Sequence, residues 1–246
     1  MDKNKAVIFD IYNTLIAIKT DEEDLRPYEF AAKWLSYKGV KIDAREFQQL
    51  YRKIIRGQID SSAETYPDVE IGEVIAGVLK IAGYAVEGKE GSRLIEELAL
   101  LFRILTTKSL TIFPETKKVL EELSTKVRMA IVSNSQRLFT VPELVRFDIA
   151  KYFEHIVISS DLRARKPSPK IFQRALDALK VSPANAIYVG DNLFDDVWGA
   201  KNLGMKTVWI NHGASPNVSV QKGLPAPDVE VADIGDVVKY VCAECQ

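Results

Sequence analysis

Short apolar runs that end abruptly in a polar group recur along the chain. The first is Lys5-Ala-Val-Ile-Phe-Asp10, and the same form returns at Val127-Arg-Met-Ala-Ile-Val-Ser133, Ile156-Val-Ile-Ser159, Ala186-Ile-Tyr-Val-Gly-Asp191 and Thr207-Val-Trp-Ile210. Runs of this length without polar alternation predict strands covered on both faces, as in a parallel sheet. Between them, Glu115 to Leu123, Lys170 to Leu179 and Asp196 to Leu203 carry apolar residues at helical spacing. Strand and helix in turn predict right-handed βαβ units and a doubly wound α/β fold. Ligands of such sheets bind beyond the carboxyl ends of the strands, where Asp10, Ser133 and Asp191 lie.

Residues 19–107 break the alternation. Tyr28 to Tyr37, Ala44 to Ile55, Ile71 to Ile81 and Ser92 to Leu105 each space apolar residues three and four apart, with Gly39, Gly57, Pro67 and Gly83 read as separators. A four-helix insertion is predicted, with no convincing buried strand. It leaves the sheet after Asp10 and returns before Pro114, so it should emerge at the ligand edge and sit over it as a lid. The expected division is a core of residues 1–18 and 108–246 around a helical unit of 19–107.

Composition narrows the classes. The 246 residues hold 33 Lys+Arg against 34 Asp+Glu, 47% hydrophobic and 27% charged, which excludes a disordered or collagenous chain. A net charge of −1 offers no basic footprint for nucleic acid. No run approaches the roughly 18 apolar residues of a membrane span, and Met1 to Asp10 does not read as a secretory signal. A cytoplasmic protein without nucleic-acid or membrane partners is expected, as monomer or homodimer. Cys242 and Cys245 form a C-x-x-C pair with no second Cys or His pair nearby, which predicts two unlinked thiols on a fraying terminus.

The candidate chemistry gathers at the strand ends. Asp10, in Phe9-Asp10-Ile11-Tyr12-Asn13-Thr14-Leu15, is placed to serve as nucleophile, metal ligand or turn cap. Ser133-Asn134 could grip an anionic oxygen or cap the next helix. Lys166 lies in Arg165-Lys166-Pro167-Ser168-Pro169, just ahead of a helix. Asp191, Asp195 and Asp196 crowd three carboxylates into six residues, which repel one another unless a cation compensates. A hard divalent ion with oxygen ligands, Mg²⁺ foremost, is the simplest compensator.

Taken in this order, the four clusters resemble the haloacid dehalogenase superfamily of hydrolases, over nearly the whole chain, with the insertion in the place of the superfamily's cap. The resemblance implies Asp10 as a nucleophile that forms a covalent intermediate, with Tyr12 and Thr14 in its catalytic loop. It implies Ser133 and Asn134 as groups that bind the transferred group, and Lys166 as the cation that neutralises its charge. It further implies Mg²⁺ held by Asp10, the Tyr12 backbone carbonyl, Asp191 and Asp196, with Asp195 between them as a weaker candidate.

One position departs from the pattern. Phosphatases of the superfamily usually carry a second Asp, the acid/base group, where this chain has Tyr12, and a phenol with a reference pKa near ~10 relays protons poorly at neutral pH. The 2-haloacid dehalogenase branch has tyrosine there and works without metal, and Arg52 resembles its carboxylate-gripping arginine or is a solvated helix-face residue. Against that branch, Asp191, Leu193 and Phe172 stand where it has serine, asparagine and tyrosine. The expected function is an Mg²⁺-dependent phosphatase of a small phosphomonoester. A metal-free 2-haloacid dehalogenase and a binding protein that keeps the fold are the alternatives.

Overall fold

The computed structural model describes residues 4–213 and 223–244. In chain order its elements are β1 (Ala6–Phe9), β2 (Ile16–Thr20), α1 (Arg26–Tyr37), α2 (Ala44–Asp60), α3 (Ile71–Ile81), α4 (Gly88–Thr106) and β3 (Thr107–Ile112). There follow α5 (Thr116–Ser124), β4 (Arg128–Ser133), α6 (Arg137–Arg146), β5 (His155–Ile158), α7 (Ser159–Leu162), α8 (Pro169–Leu179) and β6 (Ala186–Gly190). A π-helical turn over Leu193–Trp198, α9 (Gly199–Lys201), β7 (Lys206–Ile210), β8 (Val229–Val231) and α10 (Val237–Glu244) complete the fold.

The main sheet runs β5-β4-β1-β6-β7-β8, with every neighbouring pair parallel. Strand β1 shows why its run carries no polar residue. Val7 and Phe9 pack into one layer with Leu120 of α5, Leu144 of α6 and Val241 of α10, while Ala6 and Ile8 face the other layer with Phe172 and Leu176 of α8. Alternate side chains point to opposite faces, and here both faces are core.

All five strands read from the sequence are present, and β8 adds a sixth. Its three residues, Val229-Glu-Val231, are too few to show a pattern. Helix α6 shows no clear helical period in sequence, because Pro142 interrupts a stretch of weak amphipathicity. Asp196 to Leu203 is not one helix: the π-helical turn takes it to Trp198 before α9 begins. Gly57 does not separate helices, since α2 continues through it to Asp60.

The insertion is not purely helical at its roots. β2 and β3 pair antiparallel, Ile16 opposite Ile112 and Ile18 opposite Leu110, so the chain leaves and re-enters through a two-stranded ribbon that the sequence reading left out. Helices α1–α4 enclose their own core around Tyr28, Phe47, Tyr51 and Phe102. Their rings meet edge-on or tilted, with centroids 4.9 Å apart for Tyr28–Phe102 and 5.2 Å for Tyr51–Phe102. The segment between α2 and α3 reaches the loops beyond the sheet. Tyr66 O accepts from Arg165 N at 2.9 Å, and Gln136 bonds Ile71 N at 2.8 Å and Val69 O at 2.9 Å.

Cys242 is a free thiol in α10, with Lys126 Nζ 3.1 Å from its sulfur, so this part of the terminus is docked rather than frayed. Cys245 lies outside the described residues. Among the described residues no helix is long and apolar enough to cross a membrane.

Phe102 joins α4 to three other aromatic rings, so Phe102→Ala leaves a cavity at the centre of the helical unit. A loss of about 3–5 kcal/mol is expected, read from the urea unfolding midpoint followed by far-UV circular dichroism.

Candidate active site

Strand register assembles the site. Phe9 pairs with Ile131 on one side and with Val189 on the other, so the strands end almost level. Asp10, Ser133 and Asp191, distant in sequence, therefore leave the sheet at the same edge. Asp10 N still donates to Val189 O at 2.9 Å, which holds the carboxylate at the mouth of the sheet. Gly190 lets the following loop close tightly: a Cβ there would lie 2.4 Å from the Asp196 carboxyl carbon.

Lys166 is the hub. Its ammonium is buried and donates to Asp10 Oδ1 at 2.7 Å, to Asp196 Oδ1 at 2.7 Å and to the Tyr188 hydroxyl at 3.1 Å. These three contacts match its three N–H donors. Burial by itself would lower the Lys166 pKa, but the charges of Asp10 and Asp196 outweigh it and hold the group above its ordinary value. The Asn134 side chain fixes the backbone of this loop, accepting from Lys166 N at 2.7 Å through Oδ1. α8 then starts at Pro169, with Ser168 as its N-cap.

Carboxylate outnumbers cation. Asp10, Asp191 and Asp196 each place an oxygen within 4.8 Å of the others, three negative charges against the one of Lys166. Burial, with the neighbouring Asp196, raises the pKa of Asp191 from 3.8 to about 8. Asp10 rises from 3.8 to about 6 because burial exceeds the opposing effect of Lys166. Burial also raises Asp195, which lies 3.4 Å from Asn134 Nδ2. Acids in this state are relieved either by holding protons or by a cation.

The donor set fits Mg²⁺. It is all oxygen, as a hard divalent ion prefers, and its net negative charge lacks a partner. Asp191 accepts a long bond from Thr14 Oγ1, 3.4 Å, and Thr14 is itself buried. Asp196 is more committed: Oδ1 holds Lys166 and Oδ2 accepts from Asn192 N at 2.9 Å, so its first task is to position the lysine and the Asp191 turn. Ser133 is buried at the end of β4, at the same edge of the sheet as Asp10 and Asp191.

Two predicted residues are placed differently from the rest. The Tyr12 phenol turns to Glu143 Oε2 at 2.6 Å and not to the acid cluster; burial and then the Glu143 charge push its pKa well above the ordinary range. Arg52 pairs with Glu23 at 2.7 Å and lines a cavity of about 410 Å³ with Glu22, Tyr28 and Tyr51, among residues of the insertion. The structure does not bring it to Lys166 or the acids.

The match to known proteins covers most of the chain. Residues 7–210 match the family described as haloacid dehalogenase-like hydrolase. The chain belongs to the haloacid dehalogenase-like hydrolases. It is 41% identical over 101 residues to a glyceraldehyde 3-phosphate phosphatase of Pyrococcus abyssi, a match covering 41% of this chain and 42% of that protein, so it spans about two fifths of that relative's length. The structure of a haloacid dehalogenase family phosphatase from Thermococcus onnurineus aligns over 96% of this chain and 97% of that one, with TM-score 0.59 and 27% identity. A 2-haloacid dehalogenase from Pseudomonas syringae pv. Tomato shares the fold at TM-score 0.67 and 23% identity, covering 98% of this chain and 99% of that one.

Sequence reading missed Tyr188, Glu143 and Arg103. Tyr188 could have been found, because a phenol inside a strand buried on both faces must bond to something. It lies 3.0 Å from Val132 O and 2.9 Å from Asp196 Oδ1. Glu143 and Arg103 left no signal, since each reads alone as an ordinary helix-surface charge.

The raised acids make the metal-free enzyme sensitive to pH in a definite direction. With folded pKa values of about 6 and about 8 against 3.8 unfolded, the folded state keeps protons that the unfolded chain has lost. Its stability is then greatest below about pH 4 as far as these two groups contribute, and falls as pH rises toward about 8. In EDTA the thermal midpoint should drop across that window, Asp191→Asn should flatten the upper half of the drop, and Mg²⁺ should raise the wild-type midpoint at pH 8.

Proposed function

We propose that this hydrolase is an Mg²⁺-dependent phosphatase of a small phosphomonoester, working in the cytoplasm as monomer or homodimer, with residues 19–107 as a cap over a site built from 1–18 and 108–246. The observation that carries the reading is the surplus of buried carboxylate around Lys166. Asp191 stands where the dehalogenase branch has serine, and a carboxyl added beside Asp10 has no use in metal-free halide displacement, which counts against a dehalogenase. Relatives named as phosphatases support the same reading.

Asp10 attacks phosphorus in line, the bond from phosphorus to the leaving oxygen breaks, and an aspartyl phosphate forms. Water then attacks that phosphorus, releasing inorganic phosphate and restoring Asp10. Lys166 keeps the Asp10 carboxylate aimed and balances charge on the equatorial oxygens, while the hydroxyl of Ser133 and the amide of Asn134 supply hydrogen bonds. Mg²⁺, held by Asp10, the Tyr12 carbonyl and Asp191 with Asp196 behind them, would add charge neutralisation for the phosphoryl group. The Tyr12 proton belongs to Glu143, so the leaving oxygen draws its proton from water.

Turnover of p-nitrophenyl phosphate is expected to stop in EDTA and return with Mg²⁺. Asp10→Asn should lower it by about 10³-fold or more. Aryl phosphates, which need less help in leaving, should exceed alkyl phosphates in kcat by about tenfold or more. Halide release from 2-chloropropionate without metal would replace this reading with dehalogenation. Absence of both activities and of an Mg²⁺-dependent beryllofluoride adduct would leave a binding protein.

A further inference from the structure

The loop that carries Asp10 is fastened to the helical insertion by a buried polar chain that the reaction does not use. Tyr12 gives its hydroxyl proton to Glu143 Oε2 at 2.6 Å. Arg103, in the last turn of α4, clasps the same carboxylate with two bonds, Nε to Oε1 at 2.8 Å and Nη2 to Oε2 at 3.1 Å. Its guanidinium also lies over the Tyr12 ring at 5.3 Å and the Phe139 ring at 5.2 Å. Arg103 and Glu143 side chains are only 14% and 11% exposed, so the pair is largely shielded from water.

The chain continues into the core. The Tyr12 hydroxyl is 3.2 Å from Thr140 Oγ1, which donates to Ser135 Oγ at 2.9 Å, and Ser135 N donates to Ser159 Oγ at 2.9 Å. Arg103 stands four residues before β3, the strand by which the insertion returns to the core. It is therefore placed where a swing of the helical unit about its ribbon would be felt. A shielded bidentate Arg–carboxylate pair holds its geometry far better than an exposed one.

We propose that Tyr12 is a positioning residue which, through Glu143 and Arg103, ties the Asp10 loop to the root of the helical insertion, so that the seating of the insertion sets the aim of Asp10. The proposal rests on Asp10 being the reacting group. Tyrosine suits this role because its ring fills the space under Arg103 while its hydroxyl reaches Glu143; an aspartate at this position would be too short to do either. The tie reaches Asp10 through the backbone of its loop, whereas Lys166 holds it at the carboxylate.

The test is a double-mutant cycle on Tyr12→Phe and Arg103→Lys, both mild enough to keep the ring or the charge. Each single variant is expected to lower kcat on p-nitrophenyl phosphate about tenfold or more with KM within twofold, since small misplacements of a reacting group cost this much. The double variant should be little worse than either single one. Hydrogen exchange at Thr14, Leu15 and Ile16, whose amides bond to Ile11 O, should quicken about tenfold in each variant. Unchanged exchange, kcat held within twofold, or single effects that multiply in the double variant would overturn the tie. If the wild type hydrolyses no phosphomonoester, the functional reading fails on its own, and the exchange rates still decide the tie.

Discussion

A buried ammonium ion cannot stand without partners, and Lys166 is the point on which this site depends. Taking such a charge out of water costs several kcal/mol, and the compensation comes from three elements at once: Asp10 at the end of β1, Asp196 in the π-helical turn and Tyr188 within β6. Each partner is held by something else. Asp196 is anchored by Asn192 N, Asp10 by Val189 O through its amide, and the Lys166 loop by Asn134. Removing any one would strand a charge among the others. Lys166 thus joins strand register, turn geometry and chemistry in a single cluster.

The same cluster is deliberately incomplete in charge. Lys166 satisfies Asp10 and Asp196 but leaves Asp191 facing two other carboxylates. In a purely structural cluster that excess would be a defect with a cost in stability. At the carboxyl edge of a parallel sheet, beside Ser133, the same excess suits the binding of a cation, as the proposed function requires. Stability and reactivity pull in opposite directions here, as they do wherever a binding site is formed before its ligand arrives.

The helical unit bears on that site at two kinds of contact. Along Tyr66 to Ile71 it meets the loops after β4 and β5 through backbone bonds and through the Gln136 side chain, which hold it near the mouth. At its root, Arg103 reaches Glu143 and through it Tyr12, where the bonds are between shielded side chains. The first kind fixes where the unit sits, and the second links its root to the Asp10 loop. Two residues after Asp10, the Tyr12 phenol is given to Glu143.

How much of this was legible in the chain depends on the range of the interaction. Buried strands, amphipathic helices and the acid-rich turn after Gly190 declare themselves locally, because burial on both faces, helical spacing and like-charge crowding all act within a few residues. The five strand runs therefore sufficed to give the α/β fold, and the order of Asp10, Ser133, Lys166 and Asp191 marked residues that the strand ends and loops bring to one edge of the sheet. Elements whose reason is tertiary were not readable: β8 is held by β7 rather than by its own three residues, and the β2–β3 ribbon by pairing across the insertion. Arg52, suggestive in sequence, is claimed by Glu23 within the insertion. Above all, only the tertiary structure decided that Tyr12 faces Glu143 and Arg103, because partners 131 residues away for the first bond meet only when α4, α6 and the Asp10 loop have packed.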